Sequence, residues 1–247
     1  MPPRALSTAR TRTLFAPLDA GGRADAVTRR LTQAIRLGLL ADGERLPAEA
    51  SLASQLGVSP VTLREALASL RELGLVETRR GRGGGSFVCA PDDHDQARLE
   101  RPLRLLSLHE LQDIGDHRAA VAGAAARLAA QRAIPGDIAA LREHAARLGA
   151  AATTTERRRA DARLHIEVAA AAQSPRLTAG EMELWSEIGD LIWLPMGADQ
   201  VAAVAAEHRE LIDAIEHAEP GLARELAERH VAAETSRLLE FRLGLAG

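Results

Sequence analysis

The amino-acid sequence predicts a mainly α fold in two parts: a small N-terminal unit of three helices closed by a hairpin, then an all-α bundle of six or more helices. Three observations predict it. Apolar residues make up 46% of the chain and aromatics only 2%, so the core must be built from Ala, Leu, Val and Ile, a set that favours helices. Between Leu46 and Val88, two short apolar stripes flank a single glycine and lead into a glycine-rich arginine turn. From about Leu103 onward, apolar residues recur at helical spacing in one segment after another. A chain of 247 residues is long enough for two domains of ordinary size.

In chain order, residues 1–13 are polar, rich in Pro and Arg and without a period that buries a face, and with Leu14 to Leu18 ahead of the first helix, residues 1–20 are expected as a flexible N-terminal arm. Arg23 to Leu39 sets Val27, Leu31, Ala34, Ile35 and Leu39 on one helical stripe, and Ala41-Asp42-Gly43 turns the chain. Ala48 to Leu56 repeats the pattern with Leu52, Ala53 and Leu56, and Gly57 ends it. Ser59 then stands where a side-chain oxygen caps the next helix, with Pro60 at its first position, where a missing N–H costs nothing. That helix buries Leu63, Ala66, Leu67 and Leu70 and leaves Val61, Thr62 and Arg64 exposed at its start, the end that enters a major groove. Gly74 stops it, Leu75 to Thr78 reads as a strand, Arg79 to Ser86 as a turn, and Phe87-Val88 as the returning strand. The turn combines Arg79, Arg80 and Arg82 with glycines that let backbone approach phosphates closely. A basic turn alone is as readily a solvated hairpin; beside a helix-turn-helix it reads as the wing of a DNA-binding unit over residues 21–91.

Charge agrees with that placement. The whole chain carries −3, but residues 1–91 hold 13 arginines against 8 acids, a net of +5, and residues 92–247 carry −8. Every basic side chain is Arg, for there is no Lys, and we attach no mechanism to this. A single cysteine, Cys89, excludes an intrachain disulfide, and no apolar run matches a membrane span or secretory signal. A cytoplasmic protein without a membrane partner is expected.

The blocks LPAE at Leu46, LASQLGVSPVTLREALASLRELGLV from Leu52, and RGRGGGSFV from Arg80 resemble those of the GntR family of bacterial transcription regulators, over about Leu14 to Val88. By position the resemblance implies that Ser59, Thr62, Arg64, Arg80, Gly81, Arg82 and Gly83 touch a double-stranded DNA operator. It also implies action as a homodimer on a palindromic site, with repression as the expected sense.

Residues 92–102, acidic at first and without hydrophobic period, are expected as a linker to a bundle over 103–247. Leu108 to Ala133 sets Leu111, Ile114, Val121, Ala125 and Leu128 on one stripe; Asp137 to Gly149 follows Pro135-Gly136. Thr153 with Glu156 forms a capping box that opens a helix to about Ala172. Pro175 to Trp193, Asp199 to Ala218 and Gly221 to Leu243 complete the set.

Polar residues interrupt these inward faces. Asp161 and His165 are one helical turn apart; His208 lies on the stripe of Val201, Val204, Leu211 and Ile215; His230 follows Leu222 and Leu226. Singly, each histidine reads as a hydrogen-bonded core residue. Together they offer three imidazoles and a carboxylate from three helices to a divalent cation, Zn²⁺ first, with Ni²⁺ or Mn²⁺ as alternatives. His109, Asp113 and His117 form a competing set at four-residue spacing, beside the apolar stripe, and are expected as a solvated face. Arg118 falls on its stripe and must have an anion there. Trp185 and Trp193 are expected as core packing.

The segments around Asp161-Ala-Arg-Leu-His165, Glu207-His208 and Glu228-Arg-His230 are similar in order and spacing to the metal ligands of the all-helical FCD effector domain of FadR-like GntR regulators, over about Leu103 to Leu243. The resemblance implies a metal site of Asp161, His165, His208 and His230, and places Arg118 in the effector pocket, gripping a small organic acid. Relatives that bind acyl-CoA lack this ligand set, which points away from a fatty-acid sensor. The rival reading is a metal-dependent enzyme, a hydrolase or decarboxylase, in the helical part. Four protein ligands leave it less room than a catalytic metal needs, and a DNA-binding half has no reason to be joined to it.

Overall fold

A computed structural model describes residues 23–81, 83–90 and 96–245; the expected arm at 1–20 and Arg82 lie outside the described residues. The chain divides into two compact units, meeting at Asp92 and Asp93.

The first unit is three helices and a hairpin. Helix α1 (Arg23–Arg36) buries Val27, Leu31, Ala34 and Ile35. It stops short of the expected Leu39 because Gly38 takes a φ of 66°, and Leu39 and Leu40 complete the core from the following turn. Helix α2 (Glu49–Leu56) ends at Gly57, whose φ of 65° redirects the chain so that the Val58 N–H returns to the Ala53 carbonyl at 3.0 Å. Helix α3 (Pro60–Glu72) opens on Ser59, whose Oγ accepts the Thr62 amide at 3.1 Å, with Pro60 in its first turn. Strands β1 (Val76–Arg79) and β2 (Gly85–Val88) pair antiparallel, Val76 opposite Val88 and Arg79 opposite Gly85. The hairpin is thus longer than the sequence indicated, taking Arg79, Gly85 and Ser86 from the turn. On its other edge β2 bonds the chain before α2: Val88 N–H to Glu44 O and Leu46 N–H to Ser86 O, both 2.9 Å.

The second unit begins with helix α4 (Gln96–Leu105), where a linker to residue 102 was expected. Its order comes from distant contacts rather than its own period. Leu103 is fully buried, Arg104 donates to the Leu245 carbonyl at 2.7 Å, and Arg242 reaches the Leu106 carbonyl at 3.2 Å. The remaining helices are α5 (Leu108–Arg132), α6 (Pro135–Ala150), α7 (Thr154–Ala171), α8 (Pro175–Ile192), α9 (Ala198–Glu216) and α10 (Pro220–Gly244).

Helices α5 and α10 pack along each other. The face α5 buries is rotated from the expected stripe: Leu111 and Ala125 are buried as expected, but Ile114, Val121 and Leu128 are only half-buried, while Gly115, Arg118, Ala122, Ala126 and Ala129 are inside. The cause is close approach. A Cβ on Gly115 would lie 2.4 Å from Thr235 Cγ2, and one on Gly123 2.6 Å from Glu228 Cγ. Helix α7 is enclosed; from Ala160 to Ala172 every residue but Arg163 is buried. That places Asp161 and His165 in the middle of the unit, against a core of Ala126, Leu164, Val168, Leu211, Ile212 and Val231.

Candidate nucleic-acid interface and metal centre

On the first unit the residues expected at DNA lie at the start of α3 and on the wing. Ser59 and Arg64 are exposed and Thr62 half-buried. The Ser59 and Thr62 hydroxyls are 2.9 Å apart, so both are fixed by the helix cap before they meet any ligand. Arg64 Nε donates to Glu49 Oε2 at 3.1 Å, an exposed pair that leaves its charge easily redirected to a phosphate or base. Arg80, Gly81 and Gly83 are exposed at the wing tip, the glycines at φ of 98° and 94°. Arg79 is held instead: it bonds Glu77 at 2.7 Å and stacks over Phe87 at 4.4 Å. The tip therefore offers fewer free guanidiniums than the three counted from the sequence, with Arg82 outside the described residues.

In the second unit α7, α9 and α10 bring Asp161, His165, His208 and His230 together. One ligand atom from each lies within 4.8 Å of the others, and all four residues are buried. His208 Nε2 is 3.3 Å from Asp161 Oδ1 and 3.2 Å from His230 Nε2; His165 Nε2 is 3.6 Å from Asp161 Oδ1. Among the described residues Asp161 Oδ1 and His165 Nε2 have no hydrogen-bond partner, which for buried polar atoms is costly. The donor set, three imidazoles and a carboxylate, suits a borderline divalent cation, and the orphaned atoms point the same way. His109, Asp113 and His117 are exposed and apart from this cluster.

Supporting groups fix the outer atoms of these four side chains, an arrangement also common behind metal-binding side chains. Trp193 Nε1 donates to Asp161 Oδ2 at 2.8 Å, and His230 Nδ1 meets Glu207 Oε2 at 2.5 Å. Trp185 Nε1 donates to Glu181 Oε1 at 3.0 Å, and that oxygen lies 3.9 Å from His165 Nδ1. Each tryptophan also holds a carboxylate, beyond the packing expected of it; Glu181 and Glu234 went unnoticed in the sequence, and Glu207 was read there only as the neighbour of His208. One signal was available: Glu234 is one turn beyond His230, as His165 is beyond Asp161.

Burial sets the charges. Desolvation, with Glu234 nearby, raises the Asp161 carboxyl to about 7, and desolvation raises Glu181 to about 7. Desolvation pushes His165 down to about 3 and His208 well below its ordinary value. His230 differs: burial disfavours its charge, but the Glu234 carboxylate and the hydrogen bonds His230 donates to Glu207 and Glu234 outweigh it and raise it to about 10. Two neutral imidazoles therefore stand ready to donate lone pairs, while the third must first lose a proton. Arg118, 2% exposed, donates Nη2 to Glu234 Oε2 at 3.0 Å and lies 5.1 Å over Trp185. The anion it needed is this glutamate, although its Nε has no partner among the described residues.

Residues 23–85 match the family described as bacterial regulatory proteins, gntR family, and residues 113–233 match the FCD domain. The chain is 42% identical over 226 residues to a Mycobacterium gastri protein whose name assigns it as an HTH-type transcriptional regulator, RmpR, covering 90% of this chain and 82% of that one. It is 29% identical to the galactonate operon transcriptional repressor of Escherichia coli strain K12, over 88% of this chain and 97% of the relative. Among solved structures, E. coli McbR/YncC is similar in fold, with a TM-score of 0.52 at 18% identity over 90% of this chain and 99% of that one.

Proposed function

Because the chain belongs to the GntR family of bacterial transcription regulators and carries an FCD domain as its helical half, we infer that it regulates transcription in response to a small organic acid bound beside a divalent metal. It is a transcription regulator and not an enzyme. In the reading proposed, a homodimer in the cytoplasm holds a palindromic operator with Ser59, Thr62, Arg64, Arg80, Gly81, Arg82 and Gly83, and acts as a repressor, as the similar galactonate operon protein is named to do. Among the described residues no helix is long and apolar enough to cross a membrane.

The observation that carries the reading is the convergence of four buried ligand atoms from three helices. Asp161, His165, His208 and His230 would hold the cation, Zn²⁺ in first place, with Ni²⁺ or Mn²⁺ also compatible with the ligand types. When bound, it supplies a positive centre at which an acid can be coordinated. The chain's own residues do the rest: Trp193 and Glu207 fix the ligand orientations, Glu234 aims Arg118, and the Arg118 guanidinium supplies a donor to the acid.

The test joins metal content to the DNA response. Protein purified without chelator or affinity tag should contain one metal per chain by elemental analysis, and His208→Ala and His230→Ala should lose it. Gel shifts on a palindromic operator at fixed salt should show an acid response in metal-loaded protein that disappears after chelation. Wild type that takes up no stoichiometric metal on reconstitution, or variants that hold it as tightly, would sink the site.

A further inference from the structure

One cation beside the proposed effector site is not accounted for by that reading. Arg237 lies on α10, seven residues beyond His230 and three beyond Glu234. At about 100° per residue these three positions fall within about 60° of one another around the helix, so Arg237 stands on the face that carries the cluster. Its Nε and Nη2 are buried, and among the described residues neither donates to an acceptor. Those two N–H groups form the side edge of the guanidinium, the edge whose parallel donors match the two oxygens of a carboxylate.

The neighbours do not take up that edge. Glu207 is close enough for Arg237 to help lower its carboxyl, but the hydrogen bond it makes is to His230 Nδ1. Arg118 differs in that its Nη2 is already paired with Glu234 at 3.0 Å, and only its Nε lacks an acceptor among the described residues. Buried donors on a charged group seldom persist without an acceptor. A ligand oxygen pair is the acceptor whose shape fits.

We propose that Arg237 is a second acid-binding arm of the effector site and that the effector is a short-chain diacid, one carboxylate facing the metal-ligand cluster and Arg118, the other held by the Nε and Nη2 edge of Arg237. The proposal rests on the metal-assisted acid site described above. The spacing suits a short chain: Glu234, which fixes Arg118, and Arg237 are three residues apart, a rise of about 4.5 Å along the helix.

The experiment uses full-length, metal-loaded protein, with malate and succinate as diacid probes and lactate and butyrate as monoacids. Binding is read by calorimetry and by fluorescence of Trp185 and Trp193, the only tryptophans, which both touch the cluster's carboxylates. Wild type should bind at least one diacid about 10-fold or more tighter than the monoacids. Arg237→Gln should weaken the diacid by about 10- to 100-fold, the effect of losing a charged bidentate contact, while monoacid affinity and metal content stay unchanged. Arg237→Lys should recover part of the loss. Metal-dependent acid binding in which monoacids match diacids, or in which Arg237→Gln changes nothing, overturns the diacid proposal and leaves the metal-assisted site standing. If no acid binds, or binding survives chelation unchanged, the underlying site fails and the diacid proposal falls with it.

Discussion

Arg118 and Glu234, 2% and 1% exposed, show what a buried charge requires at the scale of single residues. Their pairing holds Glu234 well below its usual range despite burial, with His230 and Arg118 as the opposing cause. Removing one partner leaves the other charged and dry, so Glu234→Ala should lower unfolding stability by about 3–5 kcal/mol, against much less for Arg118→Met made together with Glu234→Leu. Denaturant titration of the single and double variants checks this, and equal losses in both would refute it. His230 leads to a second prediction. Its pKa of about 10 and the value of about 7 for Asp161 mean that protons occupy the cluster near neutral pH in the absence of metal. A cation must displace them, so metal uptake at pH 7 should release protons, and affinity should climb with pH as far as about 10. Calorimetry in buffers of different ionisation heat measures the release; uptake without it would be a failure of the assigned ligand set. The sequence made the four ligands legible because Asp161 and His165 share a turn and His208 and His230 sit on inward faces. It did not give the partners of Glu207 and Trp193, which depend on which helix lies opposite, something no single helix's spacing encodes.

Helix positions were largely written in local chemistry. Thr153 accepts the Glu156 amide at 3.1 Å while Glu156 takes the Thr153 and Ala152 N–H groups, the capping box visible in the sequence, and Ser107 with Glu110 does the same for α5. Ends shifted by only a few residues, as Gly38 did to α1. Helix faces were less legible. On α5 the larger residues Ile114, Val121 and Leu128 suggested one inward stripe, but α10 lies so near that glycine and alanine form the buried side. Hydrophobicity ranks side chains by size, whereas close helix packing selects against it. Gly115→Ala should therefore destabilise the helical unit by about 1–3 kcal/mol, the cost of overpacking, although alanine has the better helix propensity. Thr235→Ala, which removes the two nearest clashing atoms, should recover part of that loss in the double variant. Thermal unfolding decides it; a stabilised Gly115→Ala would mean that the helices are not in such close contact. α4 was illegible for a related reason, since what orders it is Leu103 and bonds to the far end of the chain.

At the scale of the molecule, charge is partitioned along the chain, with +5 on residues 1–91, where DNA would lie, and −8 on residues 92–247, where the proposed metal site and the two proposed acid-binding arginines would stand among carboxylates. The winged unit offers a single recognition helix of 13 residues, and its start around Ser59, Thr62 and Arg64 is the part proposed to meet base edges. So short a reading head covers few base pairs, and a specific site needs two copies related by a two-fold axis. Such a dimer would impose a spacing on the DNA, with half-sites about 34–36 Å apart on one face of the duplex. A palindrome with its half-sites about one turn apart should bind tightly. Inserting about 5 base pairs between them turns one half-site to the opposite face, and binding should fall to that of an isolated half-site, by about 100-fold or more, with each half-site sequence intact. Arg64→Ala should weaken both templates by a similar factor, because it acts within each half-site, costing roughly 1–3 kcal/mol per base contact. Gel shifts on the two templates at one salt concentration separate these effects. Equal affinity for the native and the half-turn-shifted palindrome would show that the units read DNA independently, and the two-fold reading would have to be abandoned.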